Sequence, residues 1–515
     1  MTWHSYTIER LQTLDRRSLF LITFAVALLC FLSFQFWKQP SESDRANWDY
    51  ISQVIARGGV PYRDVVNIKT PLSAYIGAAA IVTARPFGLR DIFAIRIAYL
   101  LLAALTVSFT LLAALDYFGS RRVAVLAAAI MVAFKIFGET NSGGVQPKTP
   151  MVLFGLMSLC AIQRDRAFLA GLLGMLSALS WQPGLLFVGV AILAFSRYLT
   201  RWRDLNAVKV VAGAALPLAI TVAYFWSTGA LRDFYLWNID FNYNVYGPQQ
   251  ARSFTGFVDR IARMMIGTFR GEQLYFYLAA AAVAGALWAE LRLVVKQSVP
   301  RLLDRAVYHA ILISPAVYFL FCMINIQGAA DLIPLLPFVA IFAAVALIWS
   351  VDRAARTLSR QRGESSRSTA EAWAFAAVLV LILIVNSING LLYRVGFPTL
   401  KDQDADIAQM TSHLEPGDRV FVQGAAQILV VSGLPNSSKH YFLDRGKDSY
   451  LDKVEPGGFA GWFARLKAER PKLVAIDRTK NVEHRNEFAD WMLTDYEERS
   501  GSVFTYYLRR DPALN

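Results

Sequence analysis

Cysteine and histidine are scarce in this chain, which argues against two common kinds of site. Its 515 residues include three cysteines and five histidines. Cys30, Cys160 and Cys322 all lie in apolar runs, where a cysteine usually packs as a small hydrophobic side chain. We therefore expect no disulfide. Because the histidines show no ligand spacing, we propose no zinc site and name no metal-binding residues.

The short motifs of nucleotide-binding proteins and serine hydrolases are also missing. No glycine-rich phosphate loop and no G-x-S-x-G segment occurs in the sequence. These absences argue against an ATPase, a nucleotide cofactor and a serine nucleophile. No cofactor is implied, although a divalent metal is left open.

Apolar residues are abundant instead. They make up 55% of the chain, charged residues make up 18%, and the mean hydropathy is +0.37. Apolar runs recur between residues 18 and 392, several of them near the roughly 20 residues that cross a bilayer core. The composition predicts a mainly α, polytopic bundle of membrane helices with about 11 to 13 spans. We expect the run 71–88, which is broken at Gly77, not to cross the membrane.

The net charge of +13 is concentrated between the apolar runs. Basic residues cluster near the N-terminus and in segments 197–209, 292–305 and 353–367, whereas the C-terminal region is nearly balanced. This is the pattern of the positive-inside rule rather than of a nucleic-acid-binding surface. It predicts a cytoplasmic N-terminus in a bacterial inner (plasma) membrane. The external segments are then loops 39–70, 139–149 and 228–272, together with the C-terminal region.

The composition changes near residue 395, which predicts a division into a membrane domain, 1–395, and a soluble domain, 396–515. Short segments rich in apolar and aromatic residues predict three strands in the second part, and helical patterns lie between them. We therefore expect a small external C-terminal α/β domain. The predicted strands are 419–423, 472–477 and 503–509, and the predicted helices are 427–432, 459–469 and 483–493.

The loop after the first apolar run combines charges with helix signals. Ser43 can cap a helix that carries Asp44 in its first turn, with an apolar side that would lie on the membrane. A carboxylate in this place can accept the proton of an attacking hydroxyl. Lys69, with Arg45, Arg57 or Arg63 as a helper, can neutralise a departing phosphate. The simpler alternatives are a dipole-stabilising residue for Asp44 and an interfacial anchor for Lys69.

Other polar residues of the predicted external segments are candidate substrate contacts. Aromatic and amide residues alternate from Trp237 to Tyr246, a composition suited to sugar rings, although an aromatic belt at the membrane surface explains it equally. Asp331 lies beside the late apolar run 331–350, where an acidic side chain is costly unless it is paired or hydrated. Asp404 and Asp406 form a D-x-D sequence, which we interpret as a solvated helix face. The candidate substrate contacts are Tyr62, Asp64, Glu139, Lys148, Asp240, Tyr243 and Asp331.

Three segments of the first loop resemble a known family. They are D-x-x-x-W-D-Y from Asp44, A-R-G-G-V-P-Y-R-D from Ala56 and K-T-P-L from Lys69. Together they resemble the first external loop of GT-C fold glycosyltransferases, notably the protein mannosyltransferase and aminoarabinose transferase relatives of glycosyltransferase family 39. The resemblance implies inverting transfer of a sugar from a polyprenyl-phosphate donor. It also implies that Asp44 is the catalytic base and that Lys69 contacts the donor phosphate.

Three positions depart from the family pattern. Arg45 stands where many relatives have a second acid, Thr70 replaces a proline, and Gln182 stands where many have a lysine. These departures are compatible with a different donor or acceptor.

The sequence therefore predicts an integral membrane hexosyl- or pentosyltransferase. Its expected partners are a polyprenyl-phosphate-linked sugar, an envelope glycan, lipid or protein acceptor, and membrane lipid, with no nucleic acid. One alternative is a transporter or flippase of a lipid-linked glycan. A weaker alternative is a non-catalytic assembly subunit. The charges favour the transferase, because a transporter is expected to place ionisable groups at mid-membrane.

Overall fold

The computed structural model describes most of the chain, which is mainly helical with one small sheet. Parts of the predicted cytoplasmic segments, including all of 363–367, lie outside the described residues. The described residues are 14–196, 205–250, 253–296, 306–362, 374–382, 385, 392–477 and 482–510.

Apolar helices make up most of the chain before residue 395. Among the described residues, three helices are long and apolar enough to cross a membrane, at Asp91–Phe118, Asn206–Ser227 and Ala329–Ala354. A bent helix pair adds a fourth if it is counted as one span. The predicted 11 to 13 spans therefore stay a prediction. The α-helices are Arg16–Leu32, Ser43–Ala56, Leu72–Ala84, Asp91–Phe118, Arg121–Ala133, Lys135–Ser142, Lys148–Gln163, Ala167–Ser180, Leu185–Ser196, Asn206–Ser227, Leu231–Tyr235, Gly247–Gln250, Phe254–Ile266, Gln273–Lys296, Ala306–Ile324 and Leu336–Arg362.

The segment 71–88 forms a helix of 13 residues, Leu72–Ala84, followed by a short 3-10 turn. This helix is too short to cross a bilayer core without help from its neighbours. Other apolar helices are of similar length, such as Ala167–Ser180. Length alone therefore does not separate a re-entrant segment from a span, and the prediction for 71–88 stays open.

A buried arginine fixes the start of the first loop. Arg96 lies in helix Asp91–Phe118 and is fully buried. Its Nη1 donates to the carbonyl oxygens of Phe36 at 2.6 Å and Gln39 at 2.8 Å, and its Nη2 donates to that of Pro40 at 3.1 Å. These bonds satisfy backbone acceptors that have no helical partner. They hold the chain that enters helix Ser43–Ala56.

The C-terminal part contains a four-stranded sheet in the order β1-β2-β4-β3. β1 pairs parallel to β2, and β4 pairs antiparallel to both β2 and β3. Three strands and three helices lie where the sequence predicts them, within two residues. The strands are β1 Val420–Gln423, β2 Leu473–Ile476, β3 Tyr496–Ser500 and β4 Thr505–Arg509, and the α-helices are Leu400–Thr411, Ala426–Ser432, Lys447–Val454, Gly458–Ala468 and Arg485–Asp495.

Two elements of this part have no counterpart in the sequence prediction. Strand β3 reads Y-E-E-R-S, and four of its five residues are exposed. Charged residues are typical of an edge strand, because they discourage it from pairing with other chains. They also leave β3 without the apolar pattern by which a strand is recognised in a sequence. The helix Lys447–Val454 spans only eight residues and carries few apolar ones.

The C-terminal part packs directly on the first loop. Ile51 of helix Ser43–Ala56 is 2% exposed and lies in one apolar cluster with C-terminal residues such as Leu429. Gln53 Nε2 donates to the carbonyl oxygen of Val430 at 3.0 Å. The apolar side of this helix therefore faces the C-terminal part, which corrects the expectation that it lies on the membrane. The helix also begins at Ser43, one residue before the predicted start, with Glu42 at the N-cap position.

The D-x-D pair is structural. Asp404 binds both terminal nitrogens of Arg90, at 2.7 and 2.9 Å. The buried Asp406 accepts from the backbone nitrogens of Ser502 and Phe504, each at 2.7 Å. The predicted solvated face is therefore wrong for Asp406, because its carboxylate satisfies the turn between β3 and β4.

Candidate functional site

A cavity of about 830 Å³ lies between the membrane helices and the C-terminal part. Segments far apart in sequence line it, including the first loop, the start of helix Lys148–Gln163, residues 242–248 and residues 441–447. Both aromatic rings and charged groups face this space. The cavity brings together five of the predicted site residues, which are Asp44, Lys69, Lys148, Tyr243 and Asp331.

Asp44 lines this cavity from the first turn of helix Ser43–Ala56. Its side chain is exposed. The carboxylate acts electrostatically on Arg445, since its negative charge helps to raise the pKa of that guanidinium, which burial alone would lower. Asp44 is thus accessible to a ligand and close to a cation of the C-terminal part.

Lys69 enters the cavity from the other end of the first loop. Its backbone nitrogen donates to Asn67 Oδ1 at 2.9 Å, and its carbonyl oxygen accepts from the hydroxyl of Tyr62 at 2.7 Å. Its Nζ lies 5.5 Å from the ring centroid of Trp181 and 5.2 Å from that of Tyr246. Burial lowers the pKa of Lys69. Among the described residues no carboxylate lies within ion-pair distance of Nζ, so its charge is held mainly by aromatic rings.

Lys148 and Asp331 form an ion pair in the cavity wall. Lys148 Nζ lies 3.2 Å from Asp331 Oδ1 and 4.7 Å from the ring centroid of Trp181. The other carboxylate oxygen accepts from the backbone nitrogens of Gln327 at 2.7 Å and Gly328 at 3.0 Å. Three donors, one ammonium and two backbone amides, therefore hold the Asp331 carboxylate, and the ion pair forms part of the cavity wall.

A hydrogen-bond network on the cavity wall joins Tyr246, Gln327 and Arg445. Gln327 Nε2 donates to the Tyr246 hydroxyl at 2.7 Å. Arg445 Nη1 donates to the same hydroxyl at 3.2 Å and also to Gln327 Oε1. Burial opposes ionisation of Tyr246, but the charges of Lys69 and Arg445 outweigh it and lower the pKa of the phenol.

The sequence analysis did not identify Arg445 and Gln327 as site residues. Arg445 belongs to a part of the chain that reads as an ordinary soluble domain, and Gln327 carries no charge. The adjacent D-R-G-K sequence, residues 444–447, was the available signal, because it clusters three charged residues at a turn. Tyr246 fell within the aromatic and amide segment, but nothing in that pattern singled it out.

Other predicted site residues lie outside the lining of this cavity. Tyr62 is fully buried against the rings of Phe225 and Phe234 and reaches the site only by holding Lys69. Arg63 donates to its neighbour Asp64 at 2.8 Å and to the carbonyl oxygen of Thr228 at 2.8 Å.

Two predicted carboxylates, Asp64 and Asp240, bind elsewhere. Asp64 accepts from the backbone nitrogen of Val60 at 2.7 Å, which closes the turn. Asp240 binds Lys453 Nζ at 2.7 Å, so it joins the long loop to the C-terminal part. The structure does not bring either carboxylate to the cavity with Asp44.

A second cavity of about 1000 Å³ borders the start of the same helix. Ser41, Glu42, Glu139 and Gln427 are among its lining residues. Tyr393 donates its hydroxyl to Glu139 Oε1 at 3.4 Å. Ser41 and Gln427 are buried, and among the described residues neither Ser41 Oγ nor Gln427 Oε1 has a hydrogen-bond partner. Both oxygens are enclosed by the protein beside this cavity, so its wall is polar at this end.

Within the described part of the chain, no group of three or more histidine, cysteine, aspartate or glutamate residues is placed to hold a metal ion. In the first cavity the carboxylates of Asp331 and Asp444 are both bound to cationic side chains.

No protein-family model matches this sequence, and no curated protein matches it. Solved structures do match it. The structure of ArnT from Cupriavidus metallidurans bound to undecaprenyl phosphate has a TM-score of 0.62 and 14% identity, over 96% of this chain and 98% of that chain. The same protein in the apo state gives a TM-score of 0.64 at 13% identity, over 96% and 98%.

A third structure is more distant. It is the archaeal oligosaccharyltransferase AglB from Archaeoglobus fulgidus, in complex with an inhibitory peptide and a dolichol-phosphate. Its TM-score is 0.53 at 13% identity, over 96% of this chain and 75% of that chain. At these identities the likeness shows the fold, which agrees with the resemblance in the first loop. The chain is an integral membrane protein with the GT-C fold.

Proposed function

We propose that this protein is a membrane glycosyltransferase that transfers a sugar from a polyprenyl-phosphate donor to an acceptor of the cell envelope. The observation that carries the proposal is that Asp44 and Lys69, from the two ends of the first loop, line one cavity. A carboxylate and a cation around one space match the two demands of glycosyl transfer from a phosphate.

The two residues have complementary roles in the proposed reaction. The acceptor hydroxyl oxygen attacks the anomeric carbon, and its proton passes to the Asp44 carboxylate. The bond between the anomeric carbon and the phosphate oxygen breaks, and the electron pair leaves with the polyprenyl phosphate. Lys69 stabilises the charge that develops on this phosphate. Because attack and departure occur on opposite sides, the anomeric configuration is inverted.

The charge balance of the cavity supports an anionic donor. Four cationic side chains and three carboxylates line it. Since aromatic rings hold the Lys69 ammonium, a phosphate can approach it without first breaking an ion pair. The similar structures of ArnT and AglB were bound to undecaprenyl phosphate and to a dolichol-phosphate, respectively, which are ligands of this chemical class.

The acceptor is proposed to approach through the second cavity. Ser41 and Glu42 line that space, and Asp44 follows two residues later on the wall of the first one. The polar side chains of Ser41, Glu42 and Gln427 line this space, which suits a hydroxyl-rich molecule. Glu139 is a further candidate acceptor contact. In this proposal both cavities face the external side of a bacterial inner membrane, with the C-terminal part above them.

The decisive experiment compares the wild type with Asp44→Asn. Purified protein in lipid nanodiscs is incubated with radiolabelled polyprenyl-phosphate sugars and envelope extract, and glycoside formation is measured. Loss of a general base predicts a fall in rate of about 10²- to 10⁴-fold. Binding of undecaprenyl phosphate is expected to persist. Asp259→Asn is the matched control, because Asp259 is exposed and pairs with Arg263 outside the cavity lining.

Two results would contradict the proposal. If Asp44→Asn transferred sugar at the wild-type rate, Asp44 would not be the catalytic base. Movement of a labelled lipid-linked sugar across vesicles by the wild type, without any glycoside formed, would favour the flippase instead.

A further inference from the structure

Arg445 brings a guanidinium from the C-terminal part into the cavity. Its backbone φ is +58°, and the next residue, Gly446, has a φ of +77°. The left-handed region disfavours side chains with a Cβ, and glycine or asparagine fits it better. A strained residue of this kind points to a use for its side chain. The guanidinium is therefore the feature to explain.

The contacts of Arg445 leave part of the guanidinium available. Nη1 donates to Tyr246 and Gln327, and Nε lies 3.5 Å from Asp444 Oδ2. Among the described residues nothing is hydrogen-bonded to Nη2. The side chain is 31% exposed, so it is anchored at one side and open at the other.

Lys69 and Arg445 lie near the same aromatic ring. Lys69 Nζ is 5.2 Å from the ring centroid of Tyr246, and Arg445 Cζ is 6.0 Å from it. The two other cations of the cavity are engaged in short ion pairs, Lys148 with Asp331 at 3.2 Å and Lys447 with Asp444 at 2.6 Å. Lys69 and Arg445 are thus the cations best able to take up a new negative charge.

We propose that Arg445 binds the donor phosphate together with Lys69, so that the C-terminal part completes the donor site. The inference rests on the proposed function. The phosphodiester of the donor carries one negative charge, and the polyprenyl phosphate that leaves is a monoester with nearly two. A guanidinium offers either of them paired donors in a plane. Donor binding then also draws the C-terminal part onto the membrane helices, because one ligand bridges both.

The test measures binding of undecaprenyl phosphate to full-length protein in nanodiscs. We expect Arg445→Gln to weaken the Kd at least tenfold and Arg445→Lys, which keeps the charge, to weaken it less. Arg499→Gln is the matched control, because Arg499 lies in the same part of the chain but pairs with Glu497 at the surface. It is expected to bind as the wild type does.

A fourth variant separates phosphate binding from docking of the C-terminal part. Gln327→Leu removes a docking partner of Arg445 and leaves the guanidinium in place. If Arg445 contacts phosphate, Arg445→Gln loses much more affinity than Gln327→Leu. Equal losses, at equal thermal stability without ligand, would overturn the inference by showing that Arg445 acts only through docking.

Two further ligands distinguish the sources of the phosphate. Inorganic phosphate should compete with the lipid in the wild type and less so in Arg445→Gln. Phosphatidylglycerol binding should not depend on Arg445, and an equal loss there would overturn the assignment. If wild type and Arg445→Gln bind undecaprenyl phosphate equally, the inference alone fails. If the wild type binds none, the proposed function fails with it.

Discussion

Lys148 Nζ and Asp331 Oδ1 lie 3.2 Å apart in the cavity wall, and their side chains are only 12% and 14% exposed. The two residues come from different helical segments, Lys148–Gln163 and the 3-10 turn Ala329–Leu335. Removing either partner leaves the other charge poorly solvated, so the pair is coupled.

The first prediction concerns this coupling. Lys148→Met and Asp331→Asn are each expected to destabilise the protein by about 2–4 kcal/mol, whereas the double variant costs less than the sum of the two. Thermal unfolding of the four proteins in one detergent measures the difference. Additive losses would show that the ion pair contributes nothing beyond its separate residues.

The second prediction concerns pH. Burial lowers the pKa of Lys69 below its usual value of 10.5. The ammonium therefore loses its proton at a lower pH than an exposed lysine does, and affinity for a polyprenyl phosphate should fall over that alkaline range. Lys69→Arg should retain affinity there, because a guanidinium stays protonated. The measurement is the Kd for undecaprenyl phosphate between pH 7 and about 10.5.

A parallel alkaline loss in wild type and Lys69→Arg would assign the titration to another group. Lys472→Arg, at a site outside the cavity lining, controls for a general effect of the substitution.

The third prediction concerns Asp240, which the sequence marked as a substrate contact. Its carboxylate binds Lys453 at 2.7 Å and also Tyr450, both in the C-terminal part. Asp240→Asn is therefore expected to lower the Tm by about 1–4 °C, as is usual for a partly exposed ion pair. Affinity for undecaprenyl phosphate should stay within about twofold of the wild type, within the effect of a remote substitution. A large loss of affinity at unchanged Tm would instead show that Asp240 contacts the substrate.

Much of the C-terminal fold could be read from local pattern. Strands β1, β2 and β4 are short segments rich in apolar and aromatic residues, and their predicted positions are confirmed within two residues. Strand β3 could not be read in this way, since its charged residues suit an exposed edge that exists only once the sheet has formed. Local sequence propensity cannot reveal that a segment will lie at the edge of a sheet.

The candidate site divides in a similar way. Asp44 and Lys69 stand in motifs of one continuous loop, so sequence spacing and family resemblance reach them. Tyr62 stands in the same loop, but the structure turns it towards Phe225 and Phe234. Motif membership therefore placed these residues on one loop, but it could not say which of their side chains face the cavity.

By itself the sequence determined that the chain is an integral membrane protein, and its first loop indicated the GT-C fold. Apolar runs indicate a membrane because hydrophobicity acts on each local segment. Only the tertiary structure decided that Arg445 lines the same cavity as Lys69 and Asp44. Arg445 lies hundreds of positions from both of them, and their meeting depends on how the C-terminal part packs onto the first loop.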